Sequence, residues 1–175
     1  MSNFKLKFAL LLFTLLTHPI SGYTLSTDRS QPINIEADNL EIDDSRHVST
    51  YQGNVKMQQG SLHIQADKIV FYFTDKNEIQ RLEVEGSPAT LNMLNDKNEP
   101  ISGKARKIIY TENQLLLKLM GDAHFQSNSD SIDGEWININ TSTEALQAGS
   151  TKGENRVRMI IQPNNSLPNN KTIKK

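Results

Sequence analysis

The sequence lacks several features that would narrow its class. It has no cysteine, so the protein contains neither disulfide bonds nor a cysteine-linked lipid anchor. Only 6% of its 175 residues are aromatic, which argues against a thick globular core but allows a thin core between two sheets. An excess of one charge is also missing, because 19 Lys and Arg residues are interspersed with 20 Asp and Glu residues. We therefore expect no nucleic-acid partner.

Long hydrophobic runs are missing except near the start of the sequence. There, "FALLLFTLL" follows Lys5 and Lys7 and precedes a small residue, Gly22. This order of a positive region, a short apolar region and a small residue predicts a secretory signal peptide at residues 1–22. The run is shorter than the roughly 20 apolar residues that a spanning helix needs. An uncleaved inner-membrane anchor remains the alternative, because Ile20 is large for the third position before the cut.

Motifs of catalysis and metal binding are absent as well. The four histidines form no HExxH motif, and neither GxSxG nor GxxxxGK[ST] occurs. The segment "NSDSIDGE" fails the EF-hand pattern, which would place Ser129 and Asn140 at the first and last ligand positions. A polysaccharide-active β-solenoid enzyme, the other class considered, would need carboxylate pairs and aromatic platforms, yet the sequence has one Trp. We predict no catalytic residue, no metal site, no cofactor and no enzymatic activity.

An internal repeat is the main positive feature of the sequence. Two apolar positions in alternation precede a small residue, and two more follow it with the opposite parity. Because alternate side chains of a strand face opposite sides, this change of parity predicts that the chain bends or bulges at the small residue and keeps its apolar face inward. The four copies are "INIEADNLEI", "LHIQADKIVF", "ISGKARKIIY" and "DSIDGEWINI", with pivots at Ala37, Ala66, Ala105 and Gly134.

Glycines provide a second marker between the pivots. Gly53, Gly86, Gly121 and Gly153 each precede a short alternating stretch, and glycine within a strand pattern often marks a bulge or tight bend. Each repeat unit would hold about four short strands, which gives about sixteen in all. No stretch between residues 30 and 162 is a convincing amphipathic helix, although "ENQLLLKLMG" fits a helix or a strand comparably well.

These patterns predict an all-β domain at residues 23–162, in which bent antiparallel strands form two walls around apolar side chains. Residues 163–175 are polar and interrupted by proline, which predicts a disordered C-terminal tail. No polar capping element follows the signal or the last strand, so both ends of the sheet would offer unpaired strands. Head-to-tail self-association by strand pairing is the expected consequence.

Five segments between about residues 30 and 161 resemble the OstA-like domain of the periplasmic lipopolysaccharide transport proteins. They are "QPINIEAD", "YQGNVKMQQGSLHIQADKIVFY", "EGSPATL", "GKARKIIY" and "LMGDAHFQ". The resemblance implies an open, twisted β-jellyroll in the periplasm whose copies stack into a bridge. It also implies that this bridge carries lipopolysaccharide from an inner-membrane export complex at the N-terminal edge to an outer-membrane translocon at the C-terminal edge.

A groove for the acyl chains of lipid A follows from this resemblance, since alternation alone would equally predict a sealed core. Alternation then selects the side chains that face the inside of the two walls. The predicted lipid-binding residues are Ile33, Ile35, Leu62, Ile64, Leu91 and Tyr110, with Ile69, Phe71, Ile108 and Phe125 behind them.

Overall fold

The computed structural model describes residues 28–150 and 156–162, in which β-strand is by far the commonest secondary structure. The predicted signal peptide, the predicted tail and the marker Gly153 lie outside the described residues. The all-β prediction is confirmed, and "LLKLMG" belongs to a strand that follows one turn of 3₁₀ helix at Glu112–Gln114. The strands are β1 (Asn34–Glu36), β2 (Asn39–Asp43), β3 (Val48–Gln59), β4 (Leu62–Phe73), β5 (Ile79–Leu94), β6 (Pro100–Thr111), β7 (Leu116–Ser127), β8 (Asp130–Asn140), β9 (Leu146–Gly149) and β10 (Arg158–Ile160).

All ten strands form one antiparallel sheet. Its main path runs β1-β3-β4-β5-β6-β7-β8-β10, so the six long strands β3 to β8 are neighbours in the order of the sequence. The short strands β1 and β2 pair with different halves of β3, and β9 and β10 pair with different halves of β8. The two ends of the sheet are therefore each built from a pair of short strands.

Every long strand bends near its middle. The register shifts between each pair of long neighbours at the same level of the sheet, first between Gln52 and Val55 and last between Met120 and Ala123. Two of the bulges contain glycine in the left-handed region, Gly53 with φ 84° and Gly121 with φ 79°. A side chain at Gly53 would be strained by this φ and would collide with the Asp38 carboxylate, so glycine is required there.

The predicted changes of parity occur at these bulges. In β4 the buried face changes from Ile64 to Ile69 across Ala66, and in β6 it reaches Ile108 after Ala105. The predicted count of sixteen strands is wrong, because residues 28–150 and 156–162 form ten. A bulge leaves a residue or two unpaired but the ladder resumes beyond it, so the two halves of a bent strand remain one strand.

The bends divide the sheet into two walls. The first wall contains residues 34–36, 55–65, 89–105, 123–134 and 158–160, and the second wall contains residues 39–52, 68–85, 107–120 and 136–149. Buried aliphatic side chains from both walls form one cluster. The walls approach closely at Gly103, where an added Cβ would lie 3.1 Å from Cδ2 of Leu119. The turns of both walls lie away from the bends, at the mouth of the fold.

A buried carboxylate lies on the outer face of the second wall. Glu83 is paired in register with Val70 and Ile109, and its side chain is only 8% exposed. Lys107 Nζ lies 2.8 Å from its Oε2, while the Arg81 guanidinium pairs with its Oε1. These two cations compensate the charge that burial would otherwise make costly.

We predict that Glu83→Gln lowers the free energy of unfolding by about 1–3 kcal/mol, because the two cations lose their shared buried partner. The measurement is denaturant unfolding of both proteins at neutral pH. Glu85→Gln is the matched control, because Glu85 also lies 2.8 Å from Lys107 Nζ but is 48% exposed. Its loss should be only about 0–1 kcal/mol. Equal losses in the two variants would contradict the role assigned to the buried Glu83.

Candidate functional site

An apolar cavity of about 820 Å³ lies between the two walls. Its lining comes from both walls, so the bent strands are what create it. Because the cavity reaches the turns at the mouth, polar residues surround its opening. Its apolar lining consists of Ile33, Met57, Leu62, Ile64, Phe71, Ile79, Leu82, Val84, Leu91, Met93, Ile108, Tyr110 and Leu117.

Seven of the ten predicted groove residues meet at this cavity. They come from three strands, β4, β5 and β6, and from the segment before β1, so residues up to 77 positions apart in the sequence share one surface. Their contact with a lipid stays a prediction. The seven are Ile33, Leu62, Ile64, Phe71, Leu91, Ile108 and Tyr110.

The other three predicted residues lie elsewhere on the inner faces. Ile69 is fully buried in the second wall, between its register partners Tyr51 and Val84. Ile35 and Phe125 are half-buried in the first wall and pack against the core, one near each end of the sheet. None of the three lines the cavity.

Sequence reasoning missed about half of the apolar lining. Leu82 and Val84 alternate in "RLEVEG", and Met57 alternates with Val55 in "GNVKMQ". The signal that could have found them was therefore the same period of two that identified the others. This alternation of apolar residues is present in the strands between the pivots as well as in the four repeats that contain them.

Charged and polar groups surround the mouth of the cavity. Asp28, Arg29, Glu78 and Glu112 contribute to the lining, together with uncharged groups such as Thr141. Arg29 Nη1 lies 3.1 Å from Glu112 Oε1. Arg29 Nη2 donates a hydrogen bond of 2.7 Å to the Tyr110 hydroxyl, and the guanidinium carbon lies 5.8 Å from the centre of the Tyr110 ring. The rim therefore combines a net negative charge with one well-bonded cation.

The Tyr110 phenol connects the apolar cavity with this rim. Burial raises the pKa of Tyr110 above its usual value, and a hydrogen bond with the Glu112 carboxylate raises it further. The positive charge of Arg29 opposes both effects. The phenol consequently stays protonated and can keep both polar partners at neutral pH.

The described residues contain no group of three or more His, Cys, Asp or Glu side chains arranged to hold a metal ion. Within the same ranges, no helix has the length and apolar character to cross a membrane. The apolar lining can shield hydrocarbon from water. Each Å² of apolar surface buried in this way contributes about 25 cal/mol of favourable free energy.

Residues 34–145 match the family described as LptA/(LptD N-terminal domain) LPS transport protein. The chain belongs to this family. The matched range includes eight of the ten strands and most of the cavity lining, and the family resemblance inferred from the sequence motifs is thus confirmed.

Characterised relatives support the same family assignment. The lipopolysaccharide export system protein LptA of Haemophilus influenzae is 31% identical over 156 residues, which cover 88% of this chain and 90% of the relative. LptA of Escherichia coli is 33% identical over 153 residues, covering 86% and 81%. The crystal structure of LptH from Pseudomonas aeruginosa, described as the LptA homologous periplasmic component of the lipopolysaccharide transport device, matches with a TM-score of 0.69 and 26% identity. It covers 78% of this chain and 99% of LptH.

We predict that the phenol of Tyr110 titrates above its usual pKa of 10.0. Because the folded pKa exceeds the unfolded value, the folded protein keeps its proton longer, and this contribution to stability is full below pH 10 and is lost as the pH rises toward the folded pKa. The measurement is the difference in phenolate absorbance between the wild type and Tyr110→Phe during an alkaline titration. A difference curve centred at or below pH 10 would contradict the burial of this phenol.

Proposed function

We propose that this chain carries lipopolysaccharide through the periplasm and holds the acyl chains of lipid A in the cavity between its walls. The observation that carries this proposal is an apolar cavity that opens at a polar mouth, in a member of a lipopolysaccharide transport family. Each shielded methylene is worth about 0.8 kcal/mol, so a lipid with several acyl chains gains tens of kcal/mol from such a lining. The role requires no catalytic group, and we propose that the protein is not an enzyme.

The ten predicted residues fit this role at different depths. The seven that line the cavity would contact acyl chains directly. Ile35 and Phe125 would extend the apolar inner face toward the two ends of the sheet, while Ile69 would support the second wall from within the core. Export would depend on the signal peptide at residues 1–22, and its removal would leave the domain at 23–162 and the tail at 163–175.

The two ends of the sheet favour a bridge built from several chains. Among the described residues, β1 and β2 pair only with β3, and β9 and β10 pair only with β8, so each end of the described sheet has an unpaired edge. The inner face remains uncovered at both ends, where Ile42 is 59% exposed and Met159 is 57% exposed. Head-to-tail strand pairing would cover both side chains and continue the apolar face into the next chain.

At the two ends of the bridge, the same edges would bind the membrane complexes. We propose that the N-terminal edge, β1 and β2, docks to the inner-membrane export complex, and that the C-terminal edge, β9 and β10, docks to the outer-membrane translocon. Because an unpaired strand offers its backbone groups to any strand of suitable register, one docking mode can serve both self-association and these partners.

We predict that Leu62→Glu weakens binding of lipopolysaccharide at least about tenfold, because it places an unpaired charge where acyl chains would lie. The measurement is an equilibrium titration of purified protein with lipopolysaccharide. His63→Glu is the matched control, because His63 is adjacent in β4 but exposed on the outer face. Both variants should keep the β-sheet circular dichroism spectrum. Equal binding by two folded variants would overturn the proposed cavity as the lipid site.

We predict that Ile42→Lys shifts the protein toward monomers, because the new charge lies at the uncovered inner face of the N-terminal edge. Light scattering at increasing protein concentration measures the change. Glu41→Lys is the control, since Glu41 precedes Ile42 in β2 and faces the opposite side of the sheet. If Ile42→Lys associates as the wild type does, the proposed stacking at this edge is wrong.

A further inference from the structure

A short segment at residues 28–31, which we call the strap, precedes the first strand and is fastened to the first wall. The Asp28 carboxylate accepts a hydrogen bond from the Ser61 backbone N–H at 3.1 Å and another from the Ser61 hydroxyl. Gln59 Nε2 donates to the carbonyl oxygens of Arg29 and Gln31, each at 3.1 Å. All of these first-wall partners lie at the turn between β3 and β4.

The strap also reaches the second wall through the side chain of Arg29. Arg29 bonds to Glu112 and to the Tyr110 hydroxyl, as described above, and both partners follow it by more than 80 residues. Asp28 and Arg29 themselves line the cavity. The strap therefore crosses the mouth and connects the turns of the two walls.

The contacts of Arg29 with the second wall can be broken at little cost in stability. The side chains of Arg29 and Glu112 are 50% and 45% exposed, and exposed ion pairs contribute little to stability. No strand pairing depends on this link, since β1 begins at Asn34. Releasing Arg29 would free the mouth without disturbing the sheet.

Charge at the mouth indicates what could release Arg29. Among the described residues that line the cavity, Arg29 is the one with a positive charge, whereas Asp28, Glu78 and Glu112 are acidic. An anionic head group that reaches this mouth has Arg29 as its favourable partner. Guanidinium groups bind phosphate through two parallel hydrogen bonds, which an exposed carboxylate partner cannot prevent.

We propose that the strap is a latch over the mouth of the empty cavity, and that the phosphate groups of the incoming lipid open it by drawing Arg29 away from Glu112 and Tyr110. Arg29 then holds the head group at the rim while the acyl chains occupy the cavity. This inference rests on the proposed function, because it takes lipopolysaccharide as the cargo.

The first test locks the strap to the first wall. The chain has no cysteine, so Asp28→Cys with Ser61→Cys introduces one possible disulfide between two short side chains in direct contact. We expect the oxidised and reduced proteins to take up lipopolysaccharide at equal rates, because Arg29 can still leave Glu112 and Tyr110 while the strap stays tied to the first wall. Uptake that slows at least about tenfold on oxidation would mean that the strap must leave the first wall, which would contradict release at Arg29. Wild-type protein exposed to the same oxidant controls for oxidation itself.

The second test asks whether Arg29 recognises the phosphate groups of the lipid. Wild-type protein should bind lipopolysaccharide about tenfold more tightly than its dephosphorylated form, and Arg29→Gln should lose this preference. Arg29→Lys should keep part of it, because it retains the charge but not the paired hydrogen bonds. Arg29→Gln should also admit a neutral fluorescent hydrophobic probe faster than the wild type, because its latch is open.

The outcomes separate the latch from the proposed function. Failure of the reduced and wild-type proteins to bind lipopolysaccharide would refute the carrier function, while entry of the neutral probe would still report on the latch. An unchanged phosphate preference in Arg29→Gln, with no faster entry of the neutral probe, would overturn the latch and leave the carrier function standing. If the disulfide does not form, the Arg29→Gln comparison decides.

Discussion

The fold depends on one constraint, which is that each strand must keep its ladder of hydrogen bonds while its apolar face turns through a corner. A strand has a side-chain period of two, so a bend alone would not keep the right residues inside. The bulges solve this by adding unpaired residues at the bend, and they do so at the same level in every pair of long strands. A long strand without its bulge would turn its apolar side chains to the outside in one of the two walls. The aligned bulges therefore explain both the two walls and the single cluster between them.

The size of the inner side chains then decides where the fold is solid and where it is open. Near the bend the inner positions are small, with Ala89, Ala105 and Ala123 fully buried, and the walls can approach each other. Toward the mouth the inner positions carry larger groups such as Phe71 and Tyr110, yet a cavity remains between them. Tightly packed protein interiors leave few voids larger than a water molecule. A cavity of this size is therefore a feature of the fold, and it results from small residues at the bend combined with long walls.

The sequence predicts the parts of this arrangement that are local. The change of parity at Ala66 and the class of fold follow from alternation over about ten residues, and both agree with the structure. The number of strands does not follow from the sequence, because a bulge within one strand and a boundary between two strands produce the same change of parity. Alternation also reports which face a residue occupies but not its distance from the bend, so Ile69 in the sealed core and Ile64 at the cavity look alike. The contact of Arg29 with Tyr110 joins residues 81 positions apart and leaves no local signal at all.

The exposed ends of the sheet connect this architecture to the proposed bridge. A protein that worked alone would gain from covering Ile42 and Met159, because unpaired edges with apolar side chains favour association. These residues continue the inner face, not the outer one, since they pair in register with Ser49 and Ile132 on the inside of the walls. Covering them with a capping element would close the interior at each end, whereas covering them with another sheet would prolong it. The proposed passage of lipid from one chain to the next would require uncapped ends of this kind, which would be a liability in an isolated domain.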